Sequence, residues 1–236
     1  MKTLKDKAIV ITGGGGSIAG AVEEELALAG ARPILVDRDA VRIRARADSY
    51  ATLAIEENLL SAESAERAIE QAAQRMGRID GLVHLVGEVV PGRLEEVSDA
   101  DYDLAFDSNV RTMFHTVRAV LPYLKMRDEA FLAALGPRQT FQTGPTGATG
   151  AALFAAAKGA AAAMLRALDA ELNGSGVVVT IITPLGTIDT RASHERLPDP
   201  GPGGWISPQA VARAIIAAAL AGEGGRMLEV PIYPPR

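Results

Sequence analysis

The chain has 236 residues, a formal net charge of −5 and no cysteine. That length suits one α/β domain with a full core, the acidic balance leaves no electrostatic footprint for nucleic acid, and the missing thiols exclude disulfides, thiolate metal sites and a cysteine nucleophile. Hydrophobic residues at 48% and charged residues at 22% are the proportions of a soluble globular protein; the apolar run after the charged N-terminus is too short for a signal-peptide core or a membrane span, so a cytoplasmic protein without membrane or nucleic-acid partners is expected.

Strand-like runs alternate with helical patterns along the chain, which predicts a parallel sheet covered on both faces, in a single domain over 1–236. Residues 7–12 predict the first strand and 18–29 the first helix, with Gly30 as its stop. The second strand, Ile34 to Val36, ends in Asp37-Arg38-Asp39. The helix after it carries Arg42, Arg44 and Arg46 on what reads as a solvated basic face. A third strand is expected at 51–55, a helix at 62–76, a fourth strand from Gly81 to Gly87 and a long helix over 100–125. The fifth strand is Ala130 to Leu135, and the Gly-, Thr- and Pro-rich stretch 136–150 reads as a loop. An alanine-rich helix follows at 151–172, then a sixth strand at 177–183. The Pro- and Gly-rich segment 184–207 reads as a mobile lobe, followed by a helix at 208–221 and a last strand at 227–232.

An apolar strand that stops at Gly13-Gly14-Gly15-Gly16 and leads into a helix near Ser17-Ile18 makes an anion site. Free amide N–H groups and the positive end of the helix dipole face outward together there. Asp37, some twenty positions further on, can accept hydrogen bonds from both hydroxyls of an adenosine ribose, and its charge repels a 2′-phosphate. The plainer alternative is a strand-end Asp that caps the following helix. Phe154 and Lys158 stand four apart, on one helical face. His84 reads as a packed, hydrogen-bonded residue, and His194 as a surface histidine or an acid above the site.

Thr12-Gly13 followed by Ser17-Ile18-Ala19, then Asp37, Asn58-Leu59, Gly87, Asn109, the Phe154–Lys158 spacing and the run Pro184 to Thr190 together resemble the short-chain dehydrogenase/reductase family over nearly the whole chain. The resemblance implies a Rossmann-type, doubly wound parallel sheet of about seven strands with helices on both faces. It also implies a nicotinamide cofactor, NAD rather than NADP, with Arg38 leaving NADP open. The cofactor contacts it assigns are Gly13, Ser17, Ile18, Asp37, Arg38, Asn58, Leu59, Val86, Gly87, Lys158, Thr187 and Thr190. The segment 184–207 becomes the lobe over a small-molecule substrate, and the two long helices become the faces of a homodimer or homotetramer. No metal site is expected.

The chain departs from the family where catalysis is concerned. In the family a Tyr moves the substrate proton, a Lys four residues later lowers its pKa and binds the nicotinamide ribose, and an Asn holds a water near that Lys. Here Asn109 and Lys158 are present, but Phe154 stands in the Tyr position, and a phenyl ring has no proton to give. No serine occurs between Ser108 and Ser175, so the family's Ser is also missing, and Thr140 or Thr143 are the hydroxyls in its region. Ser17 and Ala19 replace two of the loop glycines. The expected function is therefore an oxidoreductase-like protein that binds NAD(H) and is impaired in Tyr-dependent hydride and proton transfer on a small carbonyl or alcohol. The alternatives are an active reductase with a replacement proton donor, such as His194 or Lys158, and a non-catalytic ligand-binding or partner subunit.

Overall fold

Strand β1 (Ala8–Thr12) is buried at every residue, as a strand flanked on both edges and both faces must be. The computed structural model describes residues 1–50, 52–137, 151–196, 204–221 and 225–235. Around β1 lie β2 (Arg32–Asp37), β3 (Leu53–Glu56), β4 (Gly81–His84), β5 (Ala130–Leu135), β6 (Val177–Pro184) and, late in the chain, β9 (Glu229–Ile232). Among the described residues these seven form one sheet in the order β3-β2-β1-β4-β5-β6-β9, parallel throughout. The chain crosses from β3 over β1 to β4, so the strand order reverses beside β1. That reversal opens a crevice at the carboxyl ends of β1 and β4. Thr12 is there in register with both Val36 and His84.

Side-chain alternation along the strands sorts the core onto two faces. Val10 and Leu82 point to the face covered by α3 (Ala62–Met76), α5 (Thr112–Lys125) and α6 (Ala152–Glu171). Ile9, Ile11 and Val83 point to the face covered by α1 (Ser17–Leu28), α2 (Ala40–Tyr50) and, after β6, α8 (Pro208–Leu220). This is the doubly wound α/β arrangement expected from the alternating pattern. Among the described residues no helix is long and apolar enough to cross a membrane.

Helix ends follow their local chemistry. Ser61 accepts the Ser64 N–H at 3.1 Å to start α3, and Gly77 ends it at φ 73°. Gly30, at φ +77°, closes α1 by donating to the Ala27 carbonyl at 2.9 Å. Two expectations need correction. The fourth strand stops at His84, not Gly87: Leu85 still donates to the Thr12 carbonyl at 3.0 Å, but beyond Thr12 the neighbouring strand has turned away at Gly13. The long helix is not continuous. It consists of α4 (Asp99–Phe106), a π-helical turn at Asp107–Arg111, and α5.

In the stretch after β6, β7 (Thr187–Ile188) pairs in parallel with β8 (Trp205–Ile206), and α7 (Arg191–Arg196) lies between them in sequence. Thr140 and Thr143 fall outside the described residues.

Candidate functional site

The crevice begins with the glycine loop. Gly13 has φ +71°, and a Cβ there would lie 3.0 Å from the Leu85 carbonyl carbon and the Val86 nitrogen. At Gly14 a Cβ would come to 2.9 Å from the Leu35 side chain. Both positions are thus reserved for glycine, by backbone conformation at the first and close approach at each. Gly16 donates to the Gly13 carbonyl at 2.9 Å and is the N-cap of α1, with no side-chain cap. The first N–H groups of α1, from Ser17 and Ile18, therefore keep their capacity for an anion. Ser17 is exposed, and Ile18 packs against the core beneath.

Asp37 closes the loop from the β2 side. Its Oδ2 accepts the Gly15 N–H at 2.9 Å and its Oδ1 the Asp39 N–H at 3.0 Å. The cap of α2 is Asp39, which accepts the Arg42 N–H at 3.0 Å, so Asp37 is not occupied in that role. Arg38 turns outward to Glu88 at 2.8 Å. Arg42 and Arg44 are exposed and paired with Asp39 and Glu56, as a solvated basic face requires, but Arg46 folds inward over Gly20 of α1. Asn58 is exposed and accepts the Leu60 N–H at 3.3 Å, while the Leu59 side chain is buried in the core.

The second half of the site lies where the π-helical turn meets α6. Asn109 is fully buried, and its Nδ2 donates to the carbonyls of Ala105 and Glu88, each at 2.9 Å. The first bond is to a carbonyl one turn back in the same helix, and the second ties the helix to the chain just after Gly87. Its Oδ1 is buried without a hydrogen-bond partner. Lys158 is 8% exposed, and its Nζ reaches the Leu135 carbonyl at 3.5 Å, the far limit of a hydrogen bond. Burial pushes this ammonium down to about 8. A Cβ at Gly87 would collide with Asn109 Oδ1 and lie 3.1 Å from Lys158 Nζ, so the two side chains converge on Gly87 and leave no room for a methyl group.

His84 ends β4, in register with Thr12 on one side and Ala134 on the other. Its Nδ1 is 2.8 Å from Thr12 Oγ1, and burial, with the charge of Lys158, pushes the imidazole down to about 3. The ring is uncharged near neutral pH, and its buried Nε2 has no partner. Phe154 stands one helical turn before Lys158, half buried, and brings no hydroxyl to the crevice.

In β7, Thr187 is buried and its N–H donates to the Gly204 carbonyl at 3.0 Å. The Thr190 hydroxyl accepts the Ser193 N–H at 3.1 Å and shares a hydrogen bond with Ser193 Oγ, so it caps α7. His194 is half exposed, bonded to Asp189 at 2.7 Å and stacked on Trp205 at 4.1 Å between ring centroids. No cluster of acidic and histidine side chains among the described residues could hold a metal ion. Sequence reading missed Glu88, whose carbonyl holds Asn109 and whose carboxylate holds Arg38, and it missed the coupling of His84 to Lys158. For Glu88 the signal was its place directly after the strand-end Gly87.

The short chain dehydrogenase family model matches residues 7–201. An uncharacterized oxidoreductase of Staphylococcus epidermidis is 26% identical over 236 residues, covering 99% of this chain and 100% of that protein. Among solved structures, a 3-ketoacyl-(acyl-carrier-protein) reductase from Brucella melitensis, complexed with NADH, superposes with a TM-score of 0.83 at 22% identity, covering 97% of this chain and 98% of that one. A metagenomic short-chain oxidoreductase in complex with NADP gives a TM-score of 0.82 at 20% identity, covering 99% of both.

Proposed function

Because this chain belongs to the short-chain dehydrogenase family, an oxidoreductase family, we propose that it binds a nicotinamide dinucleotide, NAD(H) in preference to NADP(H), and lacks the Tyr-dependent proton transfer of its relatives. The observation that carries this reading is the pairing of Phe154 with a retained, buried Lys158 and Asn109 whose hydrogen-bonding capacity is unmet within the fold. A buried polar atom without a partner in the fold calls for one from a water, an ion or a ligand, and here two such atoms flank the lysine.

On this reading the N–H groups at Gly13, Ser17 and Ile18 take the pyrophosphate, and Asp37 takes the adenosine ribose. Asn58 and Leu59 border the adenine, and Val86 and Gly87 pass beneath the cofactor. Lys158 holds the nicotinamide ribose, and Thr187 and Thr190 the carboxamide. The bound nicotinamide supplies or receives a hydride. Phe154 excludes water from that region but moves no proton. Asp37 favours NAD(H) because a 2′-phosphate beside its carboxylate meets like charge, and Arg38, the residue that would answer that phosphate, is paired with Glu88. Exposed Tyr102, Leu104 and Phe114, with exposed alanines 156, 160 and 163 on α6, support a homodimer or homotetramer built on these helices.

A slow reductase is the second reading, favoured by the ammonium of Lys158 titrating near 8, close enough to neutrality for a general acid. Titration of NADH and NADPH into the wild type and Phe154→Tyr, with a panel of small carbonyls, separates the two. Tight NADH binding, with turnover only in Phe154→Tyr, supports the first. Turnover in the wild type that is lost in Lys158→Met supports the second. No binding of either nucleotide sinks both.

A further inference from the structure

Asn109 Oδ1 and Lys158 Nζ converge on Gly87, and His84, three residues earlier, is in register with Ala134, the residue before the Leu135 whose carbonyl Lys158 reaches. This brings three buried polar atoms to one neighbourhood, His84 Nε2, Asn109 Oδ1 and Lys158 Nζ. The first two have no hydrogen-bond partner and the third has one at 3.5 Å. Lys158 has no carboxylate partner among the described residues; the polar groups facing it from the packed elements are His84 on β4, Asn109 on the π-helical turn and the Leu135 carbonyl at the end of β5. A buried ammonium needs acceptors. In this chain the neighbouring side chain one turn earlier on α6 is a phenyl ring and offers none.

We propose that His84 is a positioning residue for Lys158, its Nε2 serving with Asn109 Oδ1 as the acceptor that holds the ammonium in the crevice, across one bridging water or a small swing of the lysine chain. This rests on the reading of Lys158 as the residue that holds the nicotinamide ribose. The other ring nitrogen sets the geometry. With Nδ1 hydrogen-bonded to Thr12 Oγ1 at 2.8 Å, the imidazole is fixed against β1, and its tautomer follows from what Nε2 faces. An ammonium favours a lone pair on Nε2, so the proton belongs on Nδ1 and is donated to Thr12. A second cation is excluded, since burial and Lys158 together keep the ring uncharged. His84 thus acts as a neutral acceptor where the Tyr-containing relatives have a phenol near the lysine.

The consequence is a change in the lysine's proton affinity that a packing role would not produce. His84→Leu removes the acceptor, and Lys158 then titrates about one pH unit lower, a tenfold change in its protonated fraction above neutrality. His84→Asn keeps a carbonyl acceptor, and Lys158 stays near the wild-type value. The measurement is an NMR titration of protein labelled with 13Cε-lysine, with the Lys158 signal identified by its absence in Lys158→Arg. Identical titration in wild type and His84→Leu, or an equal shift in both His84 variants, overturns the assignment.

A second measurement needs no variant at His84. Long-range 1H–15N spectra of the wild-type ring are expected to show a protonated Nδ1 and a bare Nε2. A protonated Nε2 overturns the proposal, because an N–H cannot accept from an ammonium. Neither experiment contains cofactor, so a failed NADH titration would remove the dinucleotide reading and leave these results standing on their own.

Discussion

Acidification should unfold this protein in a way that traces to one side chain. The imidazole of His84 sits at about 3 in the fold, against an ordinary value of 6.5. In the unfolded chain His84 takes up a proton as the pH falls below 6.5, while in the native state it stays neutral until about 3. The unfolded state therefore binds more protons across that interval. The stability contributed by the buried neutral ring is complete above pH 6.5 and is lost progressively as the pH falls towards 3. Each pH unit in the window is worth about 1.4 kcal/mol, so the fall from pH 6.5 to 4.5 removes about 2.7 kcal/mol. That is a substantial part of the roughly 5–15 kcal/mol by which domains are stable. The assay is urea unfolding of wild type and His84→Asn at pH 7 and pH 4.5. Every carboxylate is common to both proteins, so the difference between their pH dependences isolates the histidine. Wild type is expected to lose about 2–3 kcal/mol more than His84→Asn. Stabilities that fall in parallel would show that the ring is not held neutral, and the account of His84 as an uncharged partner of Lys158 would fail with it.

Other perturbations test the rest of the architecture. Gly87→Ala forces a methyl group against Asn109 Oδ1 and within 3.1 Å of Lys158 Nζ; about 1–3 kcal/mol of stability should be lost, together with at least about tenfold in NADH affinity, by urea unfolding and fluorescence titration, and unchanged affinity would refute the convergence at Gly87. Asp37→Ala removes the acceptor of the Gly15 N–H at 2.9 Å and the charge facing a 2′-phosphate; the NADH-over-NADPH preference is expected to fall about tenfold or more, and an unchanged ratio would separate Asp37 from cofactor choice. Asp80, buried completely, accepts the Ala8 N–H at 2.9 Å and two Arg78 donors at 2.5 and 2.7 Å. Asp80→Ala should cost about 2–3 kcal/mol in urea unfolding, below the loss for a fully buried pair because the Arg78 side chain is 37% exposed, and a loss under half a kcal/mol would contradict the anchoring of β1.

How far the sequence could be read depended on whether a feature was local. α3 was legible to the residue because Ser61 and Gly77 mark its ends, and β5 because Ala130–Leu135 is an apolar run bounded by polar and glycine residues. The fourth strand was read too long because Leu85 and Val86 are as apolar as the strand before them. What stops β4 is the departure of its neighbour at Gly13, which lies far away in sequence. The break at Asp107–Arg111 has no local signal for the same kind of reason; only the family resemblance, which matches Asn109 to the Asn that interrupts this helix, points to it. No proline or glycine occurs there, and Asn109 is bonded to the distant Glu88 carbonyl as well as to Ala105. In the candidate site the spacing after the glycine loop points to Asp37, while Asn109 and Lys158 are named through the family resemblance. The cap made by Thr190 and the coupling of His84 to Lys158 could be found in neither way, because each is set by tertiary neighbours.

The retained lysine has a thermodynamic weight of its own. Moving its titration from 10.5 to about 8 by burial corresponds to about 3 kcal/mol against the charged form at neutral pH. Asn109 Oδ1 and His84 Nε2 add the desolvation of two further acceptors. A leucine at position 158 would carry none of this and would sit beside the apolar face that α6 already presents. Asn109 and His84 also make hydrogen bonds within the fold, but the buried ammonium and the two unpartnered acceptor atoms are a net cost to the folded chain, and unmet polar groups of this kind concentrate at sites that receive a ligand. If Phe154 stands in for a proton-transferring phenol, as proposed, it does so without relieving that burden. On the proposed reading, the binding half of the site is physically separable from the proton-transfer half. Restoring a phenol at position 154 should then change turnover far more than it changes nucleotide affinity.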